Sequence, residues 1–387
     1  MNEMVANVSK ITWCDEDGHS QFEGFSDFNE WLDTKLEITF IRNNVSLSLA
    51  QSSKALYAGD KEAYQQAFSE YRIERRVTCL NQAYLHELCS DDHWFERNEQ
   101  RFDQLVERIL SGDVVPFVGA GISQPGGFKT WKEHLKDQGR TAGIATHDIE
   151  QCLAAGQYEQ LIDRIEKGIG RDVFVQEIRD SFSKTGTITE VIYILSEMFS
   201  DTLITTNYDR LIEQAYDTGG ERKTQILTPS TITDAPKVDE TTIIKLHGDI
   251  RHPAGCILSK EQYDAAYGVV DIDLALPLPS ILSYYFTTSS LLFLGCGLNN
   301  DRTIDVFKAI KANLTPGGFL PQHFAIEQCP ETEAGIVARN AYLAKLGITP
   351  IWFQSGQFEF VEDILRMARS EVRYRGSQAP TGLVGVV

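Results

Sequence analysis

The stretch VVPFVGAGIS, Val114 to Ser123, decides the fold. Five apolar residues run straight into Gly119-Ala120-Gly121. A short apolar run rich in valine predicts a buried strand, and it stops on residues with almost no side chain. Two readings stand at this point. A tight structural turn would select Gly-Ala-Gly, and so would a loop whose backbone must approach a pyrophosphate while the following N–H groups point at its oxygens. Two named phosphate motifs fail here. A dinucleotide fingerprint needs a third glycine where Gln124 stands, and a P-loop needs lysine directly after its second glycine, whereas Gly127 follows Gly126 and Lys129-Thr130 come two residues late.

Outward from this stretch, similar runs recur: TLITT from 202, TTIIKL from 241, SLLFLG from 290, HFAIE from 323 and ITPIWF from 348. Helical patterns lie between them, including TWKEHLKDQG, YDRLIEQAY, DRTIDVFKAI and FVEDILRMARSEV. Alternation of this kind predicts a doubly wound, Rossmann-like α/β fold: a parallel sheet with helices on both faces. The segment from about 141 to 200 is too long for a simple crossover and reads as a small helical subdomain. Residues 1–100 carry two strand-like runs, ITW and EITFIR, and a long polar helical pattern, so they form an N-terminal module suited to oligomerisation or partner binding. Glu99 to Leu110 is amphipathic and leads into the first core strand, which puts the core domain at 101–375 and a tail without periodicity at 376–387. That tail is either flexible or docks its apolar end on a partner.

Bulk properties bound the function. The 387 residues carry 55 acidic and 36 basic side chains, a net charge of −19, which opposes a surface laid along nucleic-acid phosphates. Seven cysteines form no CxxC pair, so a disulfide framework and a zinc ribbon are both disfavoured and a reducing cytoplasm is expected. No segment approaches the roughly 18 apolar residues of a membrane helix, so no membrane partner is expected. His247, His252 and Cys256 lack a second ligand pair, and no metal is expected.

In an open α/β sheet, ligands sit beyond the carboxyl ends of the strands. Four such ends carry polar or small residues: Gly119-Ala120-Gly121-Ile122-Ser123, Thr205-Thr206-Asn207-Tyr208-Asp209, His247-Gly248, and Gly295-Cys296-Gly297-Leu298-Asn299-Asn300-Asp301. Taken singly, each has an ordinary structural reading. Asn207 and Asp209 suit a helix cap, a strand-end histidine is commonly a hydrogen-bonded structural residue, and Trp131 either anchors the following helix or shapes a pocket.

Taken together and in this order, GAGIS, T-x-N-x-D, HG and a glycine-bracketed turn resemble the NAD-binding core of sirtuins, over about residues 110–370. The chain departs from protein deacylases of that family. It lacks their four-cysteine ribbon, and it has Gly126-Gly127-Phe128-Lys129-Thr130-Trp131 where they carry a G-I-P-D-F-R-like stretch. In this it resembles the sirtuin-like NAD hydrolases of bacterial anti-phage defence. The resemblance implies NAD+ as substrate, cleaved to nicotinamide and ADP-ribose, with Asn207 positioning a water near the nicotinamide ribose and His247 as general base. It implies dinucleotide contacts from Gly119, Ala120, Gly121, Ile122, Ser123, Thr206 and Asp209, and from Gly295, Cys296 and Asp301 on the adenosine side. A homo-oligomer and a separate HerA-like hexameric ATPase partner are further implications. Two alternatives remain at this stage: an NAD-dependent deacylase or ADP-ribosyltransferase, and a non-catalytic module that senses NAD or ADP-ribose.

Overall fold

In the computed structural model, which describes residues 16–36, 39–42, 45–48, 51–219, 222–299, 301–314 and 318–378, Val114–Val118 is the middle strand of a seven-stranded parallel sheet. The ITW run, Cys14, Asn300 and the tail beyond 378 lie outside the described residues. In chain order the strands are β1 Thr39–Arg42, β2 Val45–Ser48, β3 Val114–Val118, β4 Thr202–Thr205, β5 Lys223–Leu227, β6 Glu240–Lys245, β7 Ser290–Leu294, β8 His323–Gln328 and β9 Ile348–Phe353. The first two form an antiparallel pair of their own, and the sheet order of the rest is β5-β6-β4-β3-β7-β8-β9. All six core runs read from the sequence are strands. The chain moves from β3 to one side through β4, β5 and β6, then crosses to β7 on the other side. That reversal makes the carboxyl ends of β3, β4 and β7 the switch point where an open α/β sheet leaves a crevice.

Local chemistry accounts for the unusual residues in this sheet. Proline in a central strand normally forfeits a ladder bond, but β3 pairs with β4 only at Phe117 and Val118, so Pro116 precedes the shared stretch on that side. The edge at β9 is covered by the helix His93–Leu110. From it, the Asn98 amide accepts from the Trp352 N–H and donates to the Trp352 carbonyl, both at 2.8 Å, as a neighbouring strand would. β5 was not foreseen. Its KTQIL sequence is half exposed, as suits an edge strand, and lacks the continuous apolar character of the others.

Between β3 and β4 the chain forms the helices Trp131–Thr141, Thr146–Ala154, Tyr158–Ile169, Arg171–Phe182 and Glu190–Met198. Before β3, the helices Glu16–Glu23, Ser26–Lys35, Ser52–Gly59 and Lys61–Cys79 pack Phe22, Phe28, Leu32, Tyr57, Tyr64, Phe68 and Tyr71 into a second core, separate from that of the sheet. The C-terminal helix Phe360–Gln378 joins the two. Tyr374 packs on the aromatic cluster, and Glu371, buried, accepts both the Nε and Nη2 of Arg72 at 2.6 and 2.7 Å.

Candidate active site

The glycines that end β3 answer first to the backbone beside them. Gly119 N donates to the Leu294 carbonyl at 2.8 Å and Gly121 N to the Gly295 carbonyl at 3.1 Å, so the loop after β3 is stitched to the loop after β7. A Cβ on Gly119 would lie 2.6 Å from the Gly295 oxygen, one on Gly121 2.9 Å from Gly295 Cα, and one on Gly295 2.6 Å from the Ile122 nitrogen. Gly295 has φ +62°, a left-handed conformation that favours glycine. The close backbone approach is therefore real, and it joins two of the four strand-end motifs. Ala120–Ile122 continues as a short 3₁₀ turn, and Ser123 is buried behind it.

Asn207 completes the cluster. Thr205 Oγ1 donates to the Val118 carbonyl and accepts from the Asn207 N–H, while the Thr206 N–H donates to the same Val118 carbonyl; this sets the loop after β4 directly over β3. The Asn207 amide then reaches across: Nδ2 donates to the Gly119 carbonyl at 3.1 Å and to Ser123 Oγ at 3.0 Å. The Gly119 carbonyl, which can only accept, fixes which end of the amide is nitrogen. Its Oδ1 is buried with no hydrogen-bond partner. Asn207 does not cap the following helix. Asp209 does that work, accepting from the Leu211 N–H at 3.1 Å ahead of the helix Leu211–Gly219.

His247 follows β6 and meets Asn207 through its neighbour. Its ring centroid is 6.2 Å from that of Tyr208 and 5.4 Å from Tyr263, and Nε2 lies 3.5 Å from the Tyr267 hydroxyl. Burial among these rings lowers its pKa to about 4, although part of the residue still touches solvent, so the enclosure is that of a cleft wall. Gly248, at φ +97°, lets the chain turn against Cys256, whose thiol donates to the Asp249 carbonyl. Trp131 stacks on His134 and packs 5.4 Å from Tyr208, so the anchor of its helix is also the outer wall of the aromatic cage around His247.

The residues that the sirtuin resemblance would put on the adenosine side divide. Gly295 lies against the glycine loop as described. Cys296 Sγ is 3.5 Å from both the Phe117 and Leu294 carbonyls, and burial pushes its thiol pKa up, away from a thiolate nucleophile. Asp301 caps the helix Arg302–Ala312 by accepting from Ile304 N at 3.0 Å. It is an exposed residue, yet the protein around it raises its pKa to about 6. Beside it, Arg302 pairs with Glu159 at 2.8 Å and Asp264 at 2.6 Å, latching the helix Tyr158–Ile169 over this end of the sheet.

Three features were not read from the sequence. Lys245, the last residue of β6, is fully buried and pairs with the equally buried Glu213 at 2.7 Å; its remaining protons go to the Asp209 and Tyr208 carbonyls. A lone lysine in the otherwise apolar TTIIKL run was the available signal, since a charge there demands a partner. Tyr263 and Tyr267 on the helix Lys260–Tyr267 supply the rings around His247, from a segment with no motif. Buried Asp249 holds Arg251 through Nε and Nη2 at 3.0 and 2.7 Å. Among the described residues no group of three His, Cys, Asp or Glu side chains could hold a metal, and no helix is long and apolar enough to cross a membrane.

Residues 201–351 match the family described as the SIR2-like domain. The matched segment takes in the Asn207, His247 and Gly295 loops and begins after the glycine loop at 119–121. Among curated proteins the chain is similar to the "NAD(+) hydrolase ThsA" of Enterococcus faecium, 30% identical over 202 residues, covering 51% of this chain and 39% of that protein. It is also similar to the protein of the same name from Acinetobacter baumannii (strain 532279), 25% identical over 233 residues, covering 60% of this chain and 46% of that one. A third, from Bacillus cereus (strain MSX-D12), is 26% identical over 190 residues, covering 49% and 38%. The chain thus spans less than half the length of these relatives.

Proposed function

We propose that the chain is an NAD+ glycohydrolase, cleaving NAD+ to nicotinamide and ADP-ribose, and that it serves anti-phage defence by depleting NAD+. The observation that carries the reading is Asn207. Its Nδ2 is fixed by the glycine loop, its buried Oδ1 remains an unpartnered acceptor, and the next residue, Tyr208, packs its ring 6.2 Å from that of His247. A buried carbonyl oxygen of this kind has a strong need for a donor, and a water or a ribose hydroxyl satisfies it. Similarity to proteins named NAD(+) hydrolase and the SIR2-like match over the Asn207, His247 and Gly295 loops support the choice of substrate.

The chemistry asks little of the protein. Nicotinamide leaves as a neutral molecule from a cationic ring, so no acid has to protonate it, and the residues need only stabilise the oxocarbenium-like centre and direct water to it. Asn207 would orient that water or the ribose. His247, neutral at pH 7 because burial lowers its pKa, is in the form that accepts a proton. The two negative charges of a bound pyrophosphate would raise that pKa again and strengthen the base at the moment it is needed. Gly119 to Ser123, Thr206, Asp209, Gly295, Cys296 and Asp301 would line the rest of the dinucleotide path. Within this reading the protein works in the cytoplasm as a homo-oligomer, with the aromatic N-terminal core as the assembly element and a HerA-like ATPase as a candidate partner.

The test is incubation with NAD+ alone. Equimolar nicotinamide and ADP-ribose without any acyl-peptide supports the hydrolase; a strict need for an acyl-peptide points to a deacylase, and binding with NAD+ left intact points to a sensor.

A further inference from the structure

A cavity of about 150 Å³ is lined among others by Phe128, Phe182, Lys184, Arg210, Gln214 and Arg251. None of the residues assigned above to the dinucleotide lines it. Three cations face this space on a chain of net charge −19, and they come from three different segments. Arg210 directly follows Asp209 in the Asn207 loop, Arg251 belongs to the loop opened by His247-Gly248, and Lys184 follows the helix Arg171–Phe182.

Their charges are unevenly matched. The Asp249 carboxylate is taken by the Arg251 fork, and Arg210 Nε stands 3.8 Å from the same oxygen, too far for a hydrogen bond, and has no partner although buried. Lys184 Nζ rests over the Phe128 ring, 5.5 Å from its centroid. Asp249 is thus shared by Arg251 and Arg210, Glu213 and Asp217 act on Arg251 as well, and Arg210 Nε and Lys184 are left facing the cavity beside two aromatic rings. We propose that this cavity binds a phosphate monoester: Arg210 and Lys184 hold the phosphoryl oxygens, and Phe128 and Phe182 flank the group that carries them. A guanidinium with an unpartnered Nε–H matches the geometry of a phosphate oxygen, and a dianion pairs with Arg210 and Lys184, the two lining cations that hold no hydrogen-bonded carboxylate among the described residues. Bound there, the ligand ties the Asn207 loop to the helical segment before β4. That coupling, unlike the binding, rests on the hydrolase reading.

The experiment is calorimetric titration of the full chain with inorganic phosphate and with 5′-AMP at constant ionic strength, on wild type, Lys184→Gln and Arg210→Gln. Saturable binding, tighter for 5′-AMP than for phosphate and weakened at least about tenfold by each substitution, supports the site. No saturable binding of either probe overturns it. So does binding that survives both substitutions and is displaced by NAD+, which would put the anion in the dinucleotide cleft. Lys184 is exposed, so its variant keeps the test open if Arg210→Gln does not fold. Binding is read without turnover, so this result and the hydrolase assay can fail separately.

Discussion

Replacing Lys245 with methionine should be among the most damaging single changes in this protein, and the structure says by how much. Lys245 and Glu213 are both fully buried, and the ammonium donates to Glu213 Oε1 and to the carbonyls of Tyr208 and Asp209. Methionine fills the space but leaves Glu213 charged and alone, a loss of about 3–5 kcal/mol. Two carbonyls left short of a donor add about 1 kcal/mol or more, so Lys245→Met should cost about 4–6 kcal/mol. Glu213→Leu combined with Lys245→Met removes the stranded charge and keeps only the carbonyl deficit, so the double variant should be more stable than Lys245→Met by at least about 2 kcal/mol. Equilibrium urea unfolding at pH 7 measures all three states. A cost under about 1 kcal/mol for Lys245→Met, or a double variant no more stable than the single one, would refute the reasoning. The refolded double variant carries a second message. The loop that presents Asn207 has lost its anchor to β6, so NAD+ cleavage should fall even where the fold survives.

Two further outcomes follow from the buried histidines and from the glycine loops. His134 and His323 are buried, and burial lowers their pKa values to about 4 and about 3 from an unfolded value of about 6.5. In His323 Nδ1 accepts from the Leu291 N–H, so the neutral form that burial favours is also the one this hydrogen bond uses. The folded state binds fewer protons than the unfolded, so stability is full above about pH 6.5 and is lost as pH falls toward 4, by up to roughly 3 kcal/mol for each histidine. Asp301, raised to about 6, acts in the opposite sense but is exposed and weaker. Urea titrations at pH 7 and pH 5 should show the drop, and a flat profile would contradict it. Gly295→Ala should cost more than Gly356→Ala. Both glycines have positive φ, +62° and +77°, and share a backbone penalty of about 1 kcal/mol, but only the Gly295 Cβ meets backbone, at 2.6 Å, while Gly356 faces open space. Equal unfolding free energies for the two variants would mean that the glycine loops are not tightly stitched.

Much of this was legible in the sequence, for a physical reason. Strands buried on both faces are rich in apolar residues, so β3, β4, β6, β7, β8 and β9 announce themselves, whereas β5 at the edge alternates Thr224, Gln225 and Ile226 and reads as loop. The polar residues at strand ends were legible because sheet topology forces them to one rim. Their partners were not. Nothing local connects Asn207 to Gly119, and a lysine in β6 reveals a need for an opposite charge without naming Glu213. The helix cap at Asp209 and the partnerless Oδ1 of Asn207 separate two roles that the Asn-Tyr-Asp sequence leaves merged.

The central claim is that the Asn207 and His247 loops converge to hydrolyse NAD+. Its most direct test is nicotinamide release from NAD+ by wild type, Asn207→Ala and His247→Ala, each verified as folded by its unfolding transition. The account predicts turnover in the wild type and a loss of at least about 10²-fold in each variant. Equal turnover in all three would contradict it.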